Sequence, residues 1–232
     1  MPVFELDERM LFPPVELAEG NGIIAVGGDL SVERLIAAYG SGIFPWFSEG
    51  DPIIWWSPDP RFVLFTNELR VSRSMRQTLR RGIFELTIDR CFESVIRSCG
   101  EPRPNQDGTW ITDEMVNAYI ELHRQGFAHS VEAWKDGELA GGLYGVSLGR
   151  CFFGESMFTR ENNASKAAFI HLVNVLLAKG FHLIDCQVYT SHLESLGARM
   201  VPRKQFMDLL RKELRYDTIS GDWGSLMAVT AL

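Results

Sequence analysis

Between residues 128 and 188 the chain carries the pattern that most restricts its fold: three strands joined by tight turns, a long apolar helix, then a buried strand. His129-Ser130-Val131-Glu132-Ala133-Trp134 alternates with period two, and Lys135-Asp136-Gly137-Glu138 has hairpin-turn chemistry. A glycine-rich strand over 139–146, a turn at Ser147-Leu148-Gly149-Arg150 and a strand at Cys151-Phe152-Phe153 follow. The helix over 164–179 begins near Asn163 and stops at Gly180. Its apolar stripe is Phe169, Leu172, Val173, Leu176 and Leu177. Residues 181–188 read as the buried strand, and helices over 191–196 and 203–214 complete the order. This β-β-β-α-β-α succession specifies an α+β fold with a mixed sheet.

The first sixty residues are different in kind. They are punctuated by Phe12-Pro13-Pro14, Gly27-Gly28, Pro45, Pro52, Pro58 and Pro60. One helix fits there, capped by Ser31, with Leu35, Ile36, Ala38 and Tyr39 on its apolar face and Gly40 as its stop. A small N-terminal α/β subdomain (residues 1–62) ending near Pro60, ahead of a larger domain (63–232), is expected. Further helices are signalled over 73–81, between Ser72 and Gly82, and from Thr112 to a stop at Gly126. Residues 101–108 form a loop by composition.

With 46% hydrophobic and 11% aromatic residues, disorder is excluded. No apolar run approaches the ~20 residues that span a bilayer, and no signal-peptide pattern is visible. The four cysteines form neither CxxC pairs nor a disulfide framework. A cytoplasmic location with free thiols is the expectation, with no membrane partner. The net charge of −7 argues against a nucleic-acid partner until it is divided along the chain. Residues 1–60 sum to −8 and residues 61–232 to +1, while five arginines and no acid lie between Glu68 and Glu85. RNA therefore stays open as a partner, and the acidic N-terminal part offers an attraction to a basic protein terminus.

Motifs for nucleotide hydrolysis and metal catalysis are missing: there is no P-loop, HExxH or GxSxG, and no plausible His/Cys ligand spacing. No metal and no cofactor are expected. Asp185 and Gln187 lie two apart on the buried strand, so both side chains leave one face. Two polar groups amid Leu183, Ile184 and Val188 need hydrogen-bond partners. The pattern alone fits a structural pair as well as a chemical one. Cys186 points the other way and reads as a core thiol. The glycines of Gly141-Gly142-Leu143-Tyr144-Gly145 sit in a strand and read either as close packing or as an open surface along which substrate lies. Arg73, Arg76 and Arg80 share one helix face, and Trp46 and Trp110 border polar loops. Phosphate contacts with base stacking are one reading of this set, a solvated face the other.

Nine motifs then occur in order. They are GGDLS (27–31), GIFPWF (42–47), WWSPDPR (55–61), SRSM (72–75), GTWIT (108–112), GGLYGV (141–146), GESMF (154–158), NASK (163–166) and IDCQV (184–188). Together, across residues 12–202, the chain resembles the bacterial leucyl/phenylalanyl-tRNA–protein transferases. The resemblance implies a larger domain similar to the GNAT acyltransferase fold. It implies transfer of Leu or Phe, less readily Met, from aminoacyl-tRNA to proteins with N-terminal Arg or Lys, marking them for degradation by the N-degron route. It assigns catalysis to Asp185 and Gln187, the aminoacyl pocket to Glu155 and Ile184, and the tRNA 3′ end to Trp46 and Trp110. Leu143 stands where such proteins carry Met, and Leu172 and Leu176 where they carry Phe, all three at the pocket. An aminoacyl ester is already activated, so a positioned amine attacks it directly, with Asp185 orienting Gln187 and the Gln187 carbonyl accepting an amine hydrogen bond. Two other readings make different demands. A GNAT-type N-acetyltransferase would need a glycine-rich pyrophosphate loop where Thr159-Arg160-Glu161-Asn162-Asn163-Ala164 stands. A non-catalytic tRNA-binding module would need neither Glu155 nor the Asp185/Gln187 pair.

Overall fold

The computed structural model describes residues 3–102 and 109–226. The N-terminal part contributes β1 (Phe4–Leu6), β2 (Ile23–Gly27), α1 (Val32–Gly40), β3 (Phe44–Pro45) and β4 (Ile54–Trp56). The remainder runs β5 (Arg61–Phe65), α2 (Arg73–Arg80), β6 (Glu85–Ile88), α3 (Phe92–Cys99), α4 (Asp113–Arg124), β7 (Ala128–Lys135), β8 (Glu138–Leu148) and β9 (Cys151–Thr159). It ends with α5 (Ala164–Ala178), β10 (Leu183–Gln187), α6 (Ser191–Ser195), β11 (Arg199–Val201), α7 (Arg203–Glu213) and α8 (Trp223–Leu226).

Two sheets result. The first has the order β1-β2-β4-β3 and the second β11-β5-β10-β9-β8-β7-β6. The second is mixed: β9 and β10 are parallel, joined through α5, and its other pairings are antiparallel. The α+β class is as the element order specifies. The first sheet ends at Trp56 and the second starts at Arg61, so the expected division at residue 62 falls inside β5. One apolar core nevertheless runs across that line, joining Tyr39, Phe44 and Trp55 to Val63, Tyr119, Phe153 and Phe206. A second core, on the α5 side of the larger sheet, gathers Leu143, Phe152, Leu172, Leu176 and Ile184.

Helix starts follow their local chemistry. Ser31, Ser72 and Thr112 each accept a backbone N–H of the first turn of α1, α2 and α4. Asn163 stands at the start of α5 but in a left-handed conformation and without a side-chain cap bond. The glycines of β8 serve close packing: a Cβ on Gly141 would stand 2.7 Å from that of Ala164, and one on Gly145 only 2.2 Å from the Phe153 carbonyl. The chain differs from sequence expectation at β5, β6 and α3, which periodicity did not reveal, and in β9, which continues six residues past Phe153. Among the described residues no helix is long and apolar enough to cross a membrane.

Candidate active site

β9 and β10 pair only where Cys151–Phe153 meets Leu183–Asp185. Beyond this point they part. On β10 the register against β5 shifts between Asp185 and Gln187, and Gln187 takes a φ of 62°, the left-handed region that interrupts a strand. The expected strict alternation of Asp185 and Gln187 is therefore broken by a bulge. β9 continues, paired with β8 alone. Between the parted strands lies a cavity of about 710 Å³. It is lined by Gly154, Glu155 and Met157 of β9, Ile184, Cys186 and Gln187 of β10, Leu143 and Tyr144 of β8, and Phe169 of α5. That volume lies in the range of small-molecule sites.

Glu155 sits in this cleft as an acceptor for three side chains. Tyr39 Oη donates to Oε1 at 2.7 Å, Tyr119 Oη to Oε2 at 3.0 Å, and Gln187 Nε2 to Oε1 at 2.7 Å. The two phenols also hydrogen-bond each other. Burial, with a smaller contribution from Asp185, outweighs the three donors and pushes the Glu155 carboxyl up to about 7. With its amide nitrogen committed to Glu155, Gln187 keeps its carbonyl oxygen as an acceptor beside the cavity.

Among the described residues Asp185 makes no hydrogen bond to the Gln187 side chain. Its carboxylate is gripped by Arg61, Nε at 2.8 Å and Nη2 at 2.7 Å, both residues wholly buried. It also accepts the Gln187 backbone N–H at 2.9 Å, which fixes the bulge. The Arg61 guanidinium in turn lies 4.7 Å from the ring centroids of Phe44 and Phe206. Asp185 thus orients Gln187 through its backbone.

The other residues singled out in the sequence divide into two groups. Leu143 and Ile184 line the cavity, whereas Leu172 and Leu176 are buried in the α5-side core and are not among the lining residues. Cys186 lines it as a free buried thiol whose ionisation burial pushes far up, which leaves it inert as a nucleophile. Trp46, 41% exposed, packs against Trp56, and half-buried Trp110 packs on the core next to residues 103–108, outside the described part. Arg73, Arg76 and Arg80 are all exposed on α2, with Met75 buried on its opposite side. None of these five lines the cavity.

Arg61, Tyr39 and Tyr119 are the residues that sequence reading did not single out. Arg61 closes the WWSPDPR motif, and the two tyrosines count as apolar positions on helical stripes. The usable signal was the hydroxyl, because a buried phenol needs a hydrogen-bond partner. Asp89, His123 and His129 also come together, with candidate ligand atoms within 4.8 Å. Each histidine spends Nδ1–H as a donor, His129 to Asp89 at 2.9 Å and His123 to the Ala128 carbonyl at 2.8 Å. Their rings stack on Trp223 and Phe92. Hydrogen bonding and stacking account for this cluster.

Comparison with known proteins agrees with the sequence motifs. Residues 63–211 match the family model described as leucyl/phenylalanyl-tRNA protein transferase, and residues 28–59 match its N-terminal domain. The chain is 59% identical to the leucyl/phenylalanyl-tRNA–protein transferase of Syntrophus aciditrophicus, covering 97% of this chain and 95% of that one. It is 59% identical to the enzyme of the same name from Syntrophobacter fumaroxidans (92% of each chain) and 57% identical to that of Nitrosospira multiformis (94% and 95%). Among solved structures, L-PGS from Bacillus licheniformis is similar at a TM-score of 0.39 and 11% identity, over 69% of this chain and 54% of that one. That likeness is too slight to build on.

Proposed function

The chain belongs to the leucyl/phenylalanyl-tRNA–protein transferase family, and from that premise we propose that it moves Leu or Phe, less readily Met, from aminoacyl-tRNA to the N-terminal Arg or Lys of acceptor proteins, marking them for degradation by the N-degron route. Membership makes it an aminoacyltransferase acting between aminoacyl-tRNA and protein. The observation that carries the finer reading is the cleft between β9 and β10, apolar along one side and polar at Glu155 and Gln187.

The aminoacyl side chain enters against Leu143, Phe152, Phe169 and Ile184, an apolar wall that favours Leu, Phe and Met over charged residues. It separates aliphatic isomers only weakly, since one methyl group is worth about 1–3 kcal/mol. The acceptor amine, with a reference pKa near ~8, loses its proton at little cost and attacks the ester carbonyl carbon. Gln187 accepts a hydrogen bond from that amine through its carbonyl oxygen and orients it. Asp185, itself held by Arg61, fixes Gln187. Trp46 and Trp110 stack on the 3′ end of the tRNA, and Arg73, Arg76 and Arg80 contact its phosphates.

The test is incubation of the protein with radiolabelled Leu-tRNA and a peptide beginning with Arg. Label passing to the peptide is the expected result. Transfer from acetyl-coenzyme A instead, or tRNA binding without transfer and without regard to the attached amino acid, would replace this reading.

A further inference from the structure

Four oxygen atoms from three distant parts of the chain touch in a closed circuit: the phenol oxygens of Tyr39 on α1 and Tyr119 on α4, and both carboxyl oxygens of Glu155 on β9. Three hydrogen bonds join the side chains, Tyr39 to Oε1, Tyr119 to Oε2, and phenol to phenol. Each needs one proton. The two phenols supply two, and burial pushes the ionisation of both well above its ordinary value, so both protons stay. With Glu155 ionised, one of the three contacts has no proton. With Glu155 protonated all three are filled: the carboxyl donates to one phenol, that phenol to the other, and the second back to the free carboxyl oxygen. Gln187 Nε2 donates to Oε1 in either state.

The charged and titratable groups facing Glu155 are few. From β8 comes Tyr144, a buried phenol whose hydroxyl has no hydrogen-bond partner among the described residues. From β10 comes Asp185, whose oxygens accept from Arg61 of β5 and from the Gln187 backbone N–H.

We infer that this ring is the proton store of the transfer step, with ionised Glu155 accepting the proton that the attacking amine sheds and Tyr39 and Tyr119 positioning it. The inference rests on the aminoacyl-transfer reading above. The amine nitrogen bonds to the ester carbonyl carbon, the bond from that carbon to the ribose oxygen breaks, and the nitrogen gives one proton to Glu155. The ring then passes one proton to the departing ribose oxygen, which leaves as a hydroxyl, and Glu155 is ionised again. A carboxyl poised near 7 suits both directions of this exchange at neutral pH.

Two measurements on the full-length protein decide it. Infrared difference spectra with isotope-labelled glutamate, taken without substrate, are expected to show a protonated carboxyl band that fades as pH rises through about 7 and is missing in Glu155→Gln. No such band between about pH 5 and 8 would overturn the ring. Single-turnover transfer from Leu-tRNA to an Arg-starting peptide is expected to rise with pH in two limbs, one from Glu155 and one from the peptide amine. Glu155→Gln keeps only the amine limb and is slower by about 10²-fold, while Tyr119→Phe, which removes one donor from the carboxylate, moves the lower limb upward. A Glu155→Gln enzyme that binds tRNA normally and keeps both limbs would overturn the acceptor role. Absence of transfer by the unaltered enzyme strikes the activity itself and the acceptor role with it, whereas the spectra still report on the ring.

Discussion

Asp185 and Arg61 form a two-point ion pair with both side chains wholly buried. Such a pair contributes little net stability while intact, but removing one partner strands a charge in the interior. Arg61→Ala is therefore expected to destabilise the fold by about 3–5 kcal/mol in urea unfolding. It should also lower transfer, because the backbone bond that fixes Gln187 loses its support. Gln187→Ala separates the two effects. Its side chain only reaches across to Glu155, so transfer should fall by about 10² or more while unfolding shifts little and tRNA binding stays. Normal turnover in Gln187→Ala would remove it from the chemistry. Glu155 also sets a pH dependence of stability. Its folded-state value near 7 lies above the ordinary 4.5, so the folded protein binds this proton more tightly than the unfolded chain. The resulting stabilisation is complete below about 4.5 and is lost as pH rises through about 7. Wild-type stability is expected to fall relative to Glu155→Gln across that window, and parallel unfolding curves at pH 5 and pH 8 would contradict it.

The α2 helix presents Arg73, Arg76 and Arg80 to solvent, with Arg81 beyond its end, and buries only Met75. Reversing Arg76 and Arg80 to Glu is expected to weaken tRNA binding and to flatten its salt dependence by roughly 0.7–0.9 for each phosphate no longer neutralised. An unchanged slope would mean that the face is merely solvated. At the scale of elements the sequence was legible wherever burial is one-sided. Caps and stops marked α1, α2 and α4, and alternation marked β7. The hidden elements are those where local rules are weak. β5 is an interior strand, flanked by β10 and β11 and almost wholly buried, so Phe62, Val63 and Leu64 make an apolar run without alternation. α3 carries Phe92, Val95, Ile96 and Cys99 at helical spacing, but its start at Cys91 has no side-chain cap. The continuation of β9 past Phe153 is masked in the sequence because Gly154-Glu155-Ser156 lacks an apolar face. Those residues are half-buried around a cavity and have no core side to reveal them.

At the scale of the molecule the N-terminal sixty residues and the remainder differ in charge yet share a core. The acidity lies in residues 1–60, but Tyr39 and Phe44 of that part complete the site through Glu155 and Arg61. Residues 61–232 expressed alone are expected to lose cooperative thermal unfolding, because the missing part leaves Val63, Tyr119 and Phe206 without their packing partners. A sharp transition like that of the full chain would show that the larger sheet is self-sufficient. The amino-acid sequence by itself determined the α+β class, the family and the elements whose burial is one-sided, and it singled out Asp185, Gln187 and Glu155, since periodicity, caps and motifs are local. Tertiary structure alone decided what those residues touch. Arg61 reaches Asp185 across 124 positions and Tyr39 reaches Glu155 across 116, and no local period carries information over that span. It also decided where the cavity lies, because a cleft opens only where two strands, adjacent through a helix, stop pairing.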